Sequence, residues 1–461
     1  MILANKILLK GVTPQETLLI PSHQALRLFQ VNAIHKMLSF IRTNESSGTY
    51  NACDQGLGKT CMSIVAHNNL NCRTLLVICP ASVILNWVEE LKSWSIYPHT
   101  YLAVLSSKDA PNIKLPINSA VIISYDMSKK DRVLKQLCLR NWDMLILDEG
   151  HKLIGRKTIR SKAILGAIWD KCRYRIALSG TPITGSVVDA YPLFHSFLPT
   201  TFPNFYAFAN RYANIDRTPW GDKYYGIKNS EELKAIIRSS FFLRYTKEEV
   251  LPELPPKVFT KIVLPEEYAL SLPKNDKDVL AAEVERIRLK IEKGNPAPPL
   301  PVSLAGKRRE QALKKLPPVI EFIKNLLDQN IPTVVFTYHT QVLINLEVEF
   351  TSYNPSIIQG STPSEARQDA VRNFQEGATN LFIGQIVAAG TGITLTRSSN
   401  VVFAELDWSV ANVAQACDRL DRIGQLNTVN VYYFSVLHSI EERIISTIMQ
   451  KAEVFSKMMS N

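Results

Sequence analysis

Three groups of residues in this chain have the types and spacing that phosphoryl-transfer chemistry needs. The first is Asn51-Ala52-Cys53-Asp54-Gln55-Gly56-Leu57-Gly58-Lys59-Thr60, a glycine-rich turn running into a helical segment from Cys61 to Leu70. Backbone N–H groups of such a turn and of the helix N-terminus converge on anionic oxygens. Lys59 adds a point charge for the β- and γ-phosphates, and the Thr60 hydroxyl is placed to sit on Mg²⁺. Gly56 and Gly58 let the backbone approach where a Cβ would clash. The usual pattern has a glycine at the position of Cys53. The second group is Asp148-Glu149-Gly150-His151. Asp148 can hold Mg²⁺ through its water shell, and Glu149 can orient or deprotonate the attacking water. The third is Arg419 and Arg422, three apart on an expected helix and hence on one face. Two permanently charged guanidinium forks are what a triphosphate needs as its charge shifts.

These groups require a scaffold, and the hydrophobic pattern supplies one. Thr74 to Pro80, Ala120 to Tyr125, Trp142 to Leu147 and Tyr174 to Leu178 are near-continuous apolar runs, the signature of buried parallel strands. The acidic pair follows such a strand, at the end where parallel sheets hold ligands. Leu26 to Leu38 forms an amphipathic helix whose Gln30 carries an amide able to read both a donor and an acceptor on adenine. Ser82, after Pro80, either holds a backbone phosphate or caps the next helix. Ser179 and Thr181 flank Gly180 in a Gly-Thr-Pro turn that can reach both the acidic pair and a bound strand.

From Tyr191 to Val250 the chain is aromatic-rich and helical in character, read as an outgrowth packing on itself and on the first lobe. Leu251-Pro252-Glu253-Leu254-Pro255-Pro256-Lys257 excludes helix and central strand and reads as a linker. A charged helix from Asp276 to Lys293, a proline-rich loop from Asn295 to Pro301 and the basic clusters Lys307-Arg308-Arg309 and Lys314-Lys315 follow. Such basic runs are usually solvated faces but can track phosphates. A second α/β pattern, with strands at Thr333, Asn380 and Asn400, has no phosphate loop. Its arginines would act across a cleft on nucleotide bound to the first. The expected fold is α/β: two parallel-sheet lobes in tandem with helical insertions, lobes that a family resemblance carried by these motifs makes RecA-like. Lobe 1 spans 1–190 with a protrusion at 191–250, a linker and insertion occupy 251–316, and lobe 2 spans 317–461.

The chain has 461 residues, 46% of them hydrophobic, and a net charge of +11. The size allows two or three cores. The charge favours a polyanionic partner, most simply nucleic acid. Its seven cysteines form no CxxC pair and read as reduced thiols, with no zinc site. No apolar run is long enough for a signal peptide or a membrane span. The expectation is a soluble intracellular protein, in cytoplasm or nucleus.

Taken in order, these motifs resemble those of the Swi/Snf-type double-stranded DNA translocases of helicase superfamily two. Besides the three groups above, the match includes Cys79-Pro80-Ala81-Ser82-Val83-Ile84-Leu85-Asn86-Trp87, Phe242-Leu243-Arg244 with Lys247-Glu248-Glu249-Val250-Leu251, and Asp418-Arg419-Leu420-Asp421-Arg422-Ile423-Gly424-Gln425. Gly360-Ser361-Thr362-Pro363-Ser364 and Val402 to Trp408 look most like the annealing-helicase (HepA-related) branch. The resemblance implies ATP and Mg²⁺ as cofactors. It implies Gln30, Asp54, Gln55, Gly56, Leu57, Gly58, Lys59, Thr60 and Gly392 as nucleotide contacts, and Thr60 and Asp148 as metal residues. Lys59, Glu149, Arg419 and Arg422 become catalytic, and Ser82, Ser179, Thr181 and Gln415 couple to nucleic acid. Duplex DNA is the implied partner, with no membrane, a targeting protein possible and the motor monomeric. Cys53-Asp54-Gln55, Gly185, Cys417 and Asp421 depart from the family pattern, but none removes a charged catalytic group. A strand-separating DNA or RNA helicase and an ATP-gated DNA-binding scaffold are the alternative readings.

Overall fold

The structure is a computed structural model that describes residues 4–6, 18–106, 116, 118–156, 158–183, 186–218, 221–270, 302–390, 392–407, 409–437, 439 and 442. The charged helix expected over 276–293, the proline-rich loop 295–301, Gly185, Thr391 and Trp408 lie outside these residues. The chain divides into two compact units that meet at Val250 and Leu251.

In unit 1, strands β1 (Ala4–Lys6) and β2 (Leu19–Pro21) pair antiparallel ahead of the main sheet. Helix α1 (Leu28–Thr43) then buries Ala33, Ile34, Met37 and Leu38 of the expected stripe of Leu26, Phe29, Ala33, Ile34, Met37 and Leu38; Leu26 precedes the helix, Phe29 is half-buried, and Val31 is buried as well. The sheet proper begins with β3 (Gly48–Asn51), followed after the glycine-rich loop by helix α2 (Lys59–Asn69) and β4 (Thr74–Cys79). A 3₁₀ turn at Ala81–Val83 leads into helix α3 (Ile84–Trp94). Strands β5 (Thr100–Val104), β6 (Ser119–Ser124), β7 (Trp142–Asp148) and β8 (Cys172–Leu178) complete most of the layer. Residues of β4 and β6 are buried throughout, as strands covered on both faces must be.

The aromatic segment after Tyr191 is core. Phe194, Phe197, Phe202, Phe208, Tyr212, Phe241 and Phe242 are continuous with the interior of the sheet, and Phe197 stacks on Phe241 at 4.8 Å between ring centroids. The segment is not wholly helical. An antiparallel hairpin, β9 (Asn214–Thr218) and β10 (Gly221–Tyr225), emerges from it. The chain then returns as β11 (Phe242–Leu243), which pairs parallel to β3. Phe197 also explains Gly48, where a Cβ would come within 2.7 Å of the Phe197 ring. The strand order is β11-β3-β8-β7-β4-β6-β5, all parallel.

Unit 2 opens with β12 (Lys257–Leu264), a strand where the sequence suggests linker and insertion. The prolines stop at Pro256, and the following Lys257-Val258-Phe259-Thr260 has the β-branched and aromatic content of a strand. It forms an edge of a parallel sheet with β13 (Thr333–Thr337), β14 (Ser356–Ile358), β15 (Leu381–Gln385), β16 (Asn400–Phe403) and β17 (Val429–Val436). The order is β12-β17-β16-β13-β15-β14. Two of the basic residues at 307–315 are not on a solvated face. Arg308 is buried with its guanidinium over the Tyr338 ring, and Lys315 is buried with Nζ donating to the Phe434 carbonyl. All seven cysteines are free thiols.

Candidate active site

Strands β3, β8 and β7 are neighbours in unit 1, and each ends in one of the motifs. The glycine-rich loop follows β3, Ser179-Gly180-Thr181 follows β8, and Asp148-Glu149 closes β7. Adjacent strands lie about 4.8 Å apart, so three segments distant in sequence share one carboxyl edge. The loop begins on Asn51, whose Oδ1 accepts from Cys53 N at 3.2 Å. It then turns through Gly56 (φ 83°) and Gly58 (φ 82°), both left-handed. A Cβ on Gly58 would sit 2.5 Å from Gln30 Nε2, and one on Gly180 would sit 2.7 Å from Gln55 Cγ. The loop therefore rests between α1 and the Ser-Gly-Thr turn, and small residues are needed on both sides.

Lys59 Nζ donates to the carbonyls of Cys53 (2.8 Å) and Asp54 (3.0 Å). Burial pushes its ammonium below the usual lysine range, while Glu149, Asp148 and Asp54 pull it back up. That balance sets the ammonium close to both carboxylates. Asp148 Oδ2 accepts from Trp87 Nε1 at 2.9 Å, and its carbonyl accepts from Tyr125 Oη at 2.8 Å. Trp87 and Tyr125 are both buried. Burial and the Glu149 charge push the Asp148 carboxyl up. Two neighbouring half-buried carboxyl groups in this state make a site that a cation stabilises. Asp148 and the Thr60 hydroxyl are hard oxygen donors, the class Mg²⁺ takes, and substrate phosphates complete its shell. The donor set thus fits Mg²⁺. Among the described residues no group of three or more His, Cys, Asp or Glu could cage an ion alone.

Glu149 itself has φ 55° and ψ 51°, a left-handed conformation that a non-glycine residue adopts at a cost of order 1–3 kcal/mol. Its Oε2 lies 3.2 Å from His151 Nδ1, which also lies 2.7 Å from Ser179 Oγ. Ser179 Oγ in turn accepts from Thr181 N at 3.0 Å. Ser179 therefore reaches the acidic pair through His151, a link that motif order shows only as the fourth residue of Asp-Glu-Gly-His. Trp87 stands in the sequence only as the last residue of the Cys79 to Trp87 motif and Tyr125 only as the end of a strand; their contacts to Asp148 come from α3 and from the end of β6, which sequence order does not show.

Other expected residues take different positions. Gln30 accepts from Arg27 N (3.0 Å) and donates to the Leu57 carbonyl (3.1 Å), joining α1 to the loop. Asp54 points to the protein: Oδ1 pairs with Arg244 Nη2 at 3.1 Å and Oδ2 accepts from Lys247 N at 3.1 Å. Ser82 lies inside the 3₁₀ turn, not at a helix cap, and α3 starts after Val83 without a side-chain cap.

In unit 2 the helix Val410–Cys417 stops before the arginines. Arg419 and Arg422 lie on an irregular turn, so the one-face argument for them fails. Arg419 is buried at 4% exposure and donates from Nε to the Gln415 carbonyl at 3.1 Å. Arg422 donates from Nε to the Asp418 carbonyl (2.9 Å) and from Nη1 to Thr394 Oγ1 (3.0 Å). Thr394 closes the loop that contains Gly392 (φ 70°). The same turn is held by Lys257, whose Nζ lies 3.1 Å from Asp418 Oδ1 and 2.9 Å from Asp421 Oδ2. Burial pulls the Lys257 ammonium down, but the two carboxylates outweigh it and hold it above its ordinary value.

Residues 29–268 match the SNF2-related domain, and residues 314–424 match the helicase conserved C-terminal domain. The chain belongs to the SNF2-related family. It is 33% identical over 414 residues to the SWI/SNF-related matrix-associated actin-dependent regulator of chromatin subfamily A-like protein 1 of Xenopus laevis, covering 88% of this chain and 42% of that protein. It is 31% identical over 421 residues to the DNA annealing helicase and endonuclease ZRANB3 of Mus musculus, covering 87% of this chain and 38% of that protein. This SNF2-related chain therefore spans less than half the length of these curated relatives. A solved structure, the Sulfolobus solfataricus SWI2/SNF2 ATPase core in complex with dsDNA, aligns at 25% identity with a TM-score of 0.45, covering 95% of this chain and 93% of that one. Among the described residues no helix is long and apolar enough to cross a membrane.

Proposed function

We propose that this chain is an ATP-hydrolysing motor that tracks along double-stranded DNA, remodelling or reannealing it or displacing bound protein. The observation that carries the reading is the gathering of Lys59, Asp148 and Glu149 beneath a left-handed glycine loop at one sheet edge, in a chain of the SNF2-related family. One similar protein is named as a DNA annealing helicase, which supports duplex DNA as the polymer.

In this reading the loop N–H groups and Lys59 bind the triphosphate, with Lys59 exchanging the carbonyls of Cys53 and Asp54 for phosphate oxygens. Thr60 and Asp148 would hold Mg²⁺, which would supply positive charge against those oxygens. Trp87 fixes the Asp148 carboxylate, leaving its second oxygen for the metal shell. Glu149 orients and deprotonates the attacking water, and His151 positions Glu149 and reports to Ser179 and Thr181. Arg422, contributed by unit 2, stabilises the charge that develops in transfer. Arg419, being buried, supports the turn.

The test is ATP turnover with duplex DNA, single-stranded DNA and no DNA, beside Lys59→Ala and Glu149→Gln. Duplex-specific stimulation that both substitutions abolish is the expected result. Stimulation by single strands alone overturns the duplex-tracking reading, and turnover by Glu149→Gln near the unsubstituted rate overturns the assignment of the base. DNA affinity should fall steeply with salt and vary little with sequence, since contacts to phosphates dominate.

A further inference from the structure

The stretch that leads from unit 1 into unit 2 is tied at both ends to the loops that carry the chemistry. On the unit 1 side, Arg244 follows β11 directly. Its Nη2 meets Asp54 Oδ1 at 3.1 Å and its Nη1 donates to the Ala52 carbonyl at 2.9 Å. Lys247 N donates to Asp54 Oδ2, and Asp54 N donates to the Tyr245 carbonyl at 3.0 Å. Residues 244–247 therefore grip Ala52 and Asp54 by four hydrogen bonds. Lys59 holds the carbonyls of Cys53 and Asp54 from the other side. Whatever moves Lys59 acts on the residue that Arg244 holds.

On the unit 2 side, Lys257 is the first residue of β12 and stands in register with Val429, the first of β17. From there it bridges Asp418 and Asp421, the residues on either side of Arg419 and next to Arg422. Asp421 is 2% exposed, so its end of the ion pair is buried, and breaking such a pair on one side is destabilising. Between the two anchors lies Leu251-Pro252-Glu253-Leu254-Pro255-Pro256, with Leu254 N turned back onto the Leu251 carbonyl at 2.9 Å. Three prolines with fixed φ make a short, stiff connection. A floppy connection would lose a displacement at one end; a stiff one passes it on.

We propose that residues 244–257 form a tether between the phosphate loop and the arginine-bearing turn, with Arg244 and Lys257 as its positioning residues. The inference rests on the motor reading above. A change at the phosphates is passed from Lys59 through Asp54 to Arg244, along the prolines to Lys257, and so to the backbone that aims Arg422. Neither cation touches nucleotide; each acts through the acid it holds.

The experiment uses the full chain in four forms: Arg244→Gln, Lys257→Met, Lys257→Arg, and a short Gly-Ser insertion between Val250 and Leu251 that leaves both ion pairs in place. Turnover with and without duplex DNA, affinity for a fluorescent ATP analogue and the thermal midpoint are measured for each. The tether predicts that the insertion, Arg244→Gln and Lys257→Met each lower DNA-stimulated turnover about tenfold. Turnover without DNA and nucleotide affinity stay within about twofold, and Lys257→Arg keeps its stimulation. An equal loss with and without DNA, tracking a lower thermal midpoint, makes the two cations mere supports and overturns the proposal. Full stimulation in the insertion variant also overturns it, and decides the matter even where a substitution fails to fold. Failure of the motor reading itself is seen separately, as an unsubstituted chain that duplex DNA does not stimulate, and it takes the tether with it.

Discussion

In unit 1 the reactive groups stand at the carboxyl edge of the sheet, and each is braced by a neighbour: Asp148 by the buried Trp87 and Tyr125, Glu149 by the half-buried His151. In unit 2 the arginines stand at the opposite, amino edge, on a turn that leads into β17 beyond the last residue of a helix. Arg422 is held there by one side-chain hydroxyl, a backbone carbonyl of its own turn, and the ion pairs of Lys257 with its neighbours. Under the proposed motor function, that difference suits different tasks. A site that binds charged phosphate gains from groups fixed in advance, whereas a group supplied during turnover gains from a support that can be adjusted.

Substitutions can break or sharpen that contrast. The largest effect belongs to Arg422→Ala. It should lower DNA-stimulated turnover by about 10³–10⁵ while nucleotide affinity, measured by a fluorescent analogue, stays unchanged. Arg422→Lys should not restore it, because an ammonium lacks the planar fork. Glu149→Gln should cost about 10²–10⁴ and retain ATP bound, seen as slow release of labelled nucleotide. If Arg422→Ala also weakened nucleotide binding severalfold, the division of labour between the units would be wrong.

Two smaller changes compare the braces. Trp87→Phe removes the N–H that Asp148 Oδ2 accepts and leaves a buried acceptor unpaired, which costs about 1–3 kcal/mol. Turnover should fall roughly tenfold to a hundredfold, and titration should show a higher Mg²⁺ requirement. Thr394→Val removes the hydroxyl beside Arg422 Nη1. It should cost roughly fivefold in turnover with no change in the Mg²⁺ requirement. A larger loss in Thr394→Val than in Trp87→Phe would reverse the ranking of rigid and adjustable supports.

The smallest effect is on stability. His67 and His99 lie 5.1 Å apart between ring centroids, and none of their ring nitrogens has a hydrogen-bond partner. Burial, with a lesser push from His99, lowers His67 to about 3, and burial lowers His99 to about 4. An unfolded histidine titrates near 6.5, so below that pH the unfolded chain binds more protons than the folded one. The stability this pair contributes is complete above about pH 6.5 and is lost as pH falls toward 4 and then 3. Thermal midpoints across that window should drop, and His67→Leu should flatten the slope.

Much of the first site was legible because its chemistry is local. Gly56, Gly58, Lys59 and Thr60 are contiguous, and the apolar runs Thr74–Cys79 and Trp142–Asp148 end where their composition says they do. What stayed hidden depends on partners far along the chain. Asp54 reads as a nucleotide contact until Arg244, far along the chain, arrives beside it at the end of the neighbouring strand. The spacing of Arg419 and Arg422 suggests one helical face, but the helix ends at Cys417, where the chain turns toward β17. Lys257 looks like the end of a proline linker because strand pairing with β17 leaves no mark in the linker itself. Arg308 and Lys315 read as solvated charges because nothing local reveals that Tyr338 and the Phe434 carbonyl cover them.

The pairing of β11 with β3 has a consequence for how the protein is made. Arg244 and Ala52 are 192 positions apart, and contacts of such separation form late because a long loop must close first. During synthesis the glycine loop, α2 and the central strands emerge long before residues 242–247 do, and domains assemble from the amino terminus onward. Until that segment leaves the ribosome, β3 is an unprotected sheet edge and Asp54 lacks its Arg244 partner. The nascent chain therefore carries an open strand through most of the translation of unit 1. The stretch that covers it is the same one that begins the connection to unit 2, so the first unit is sealed only as the second starts to be made.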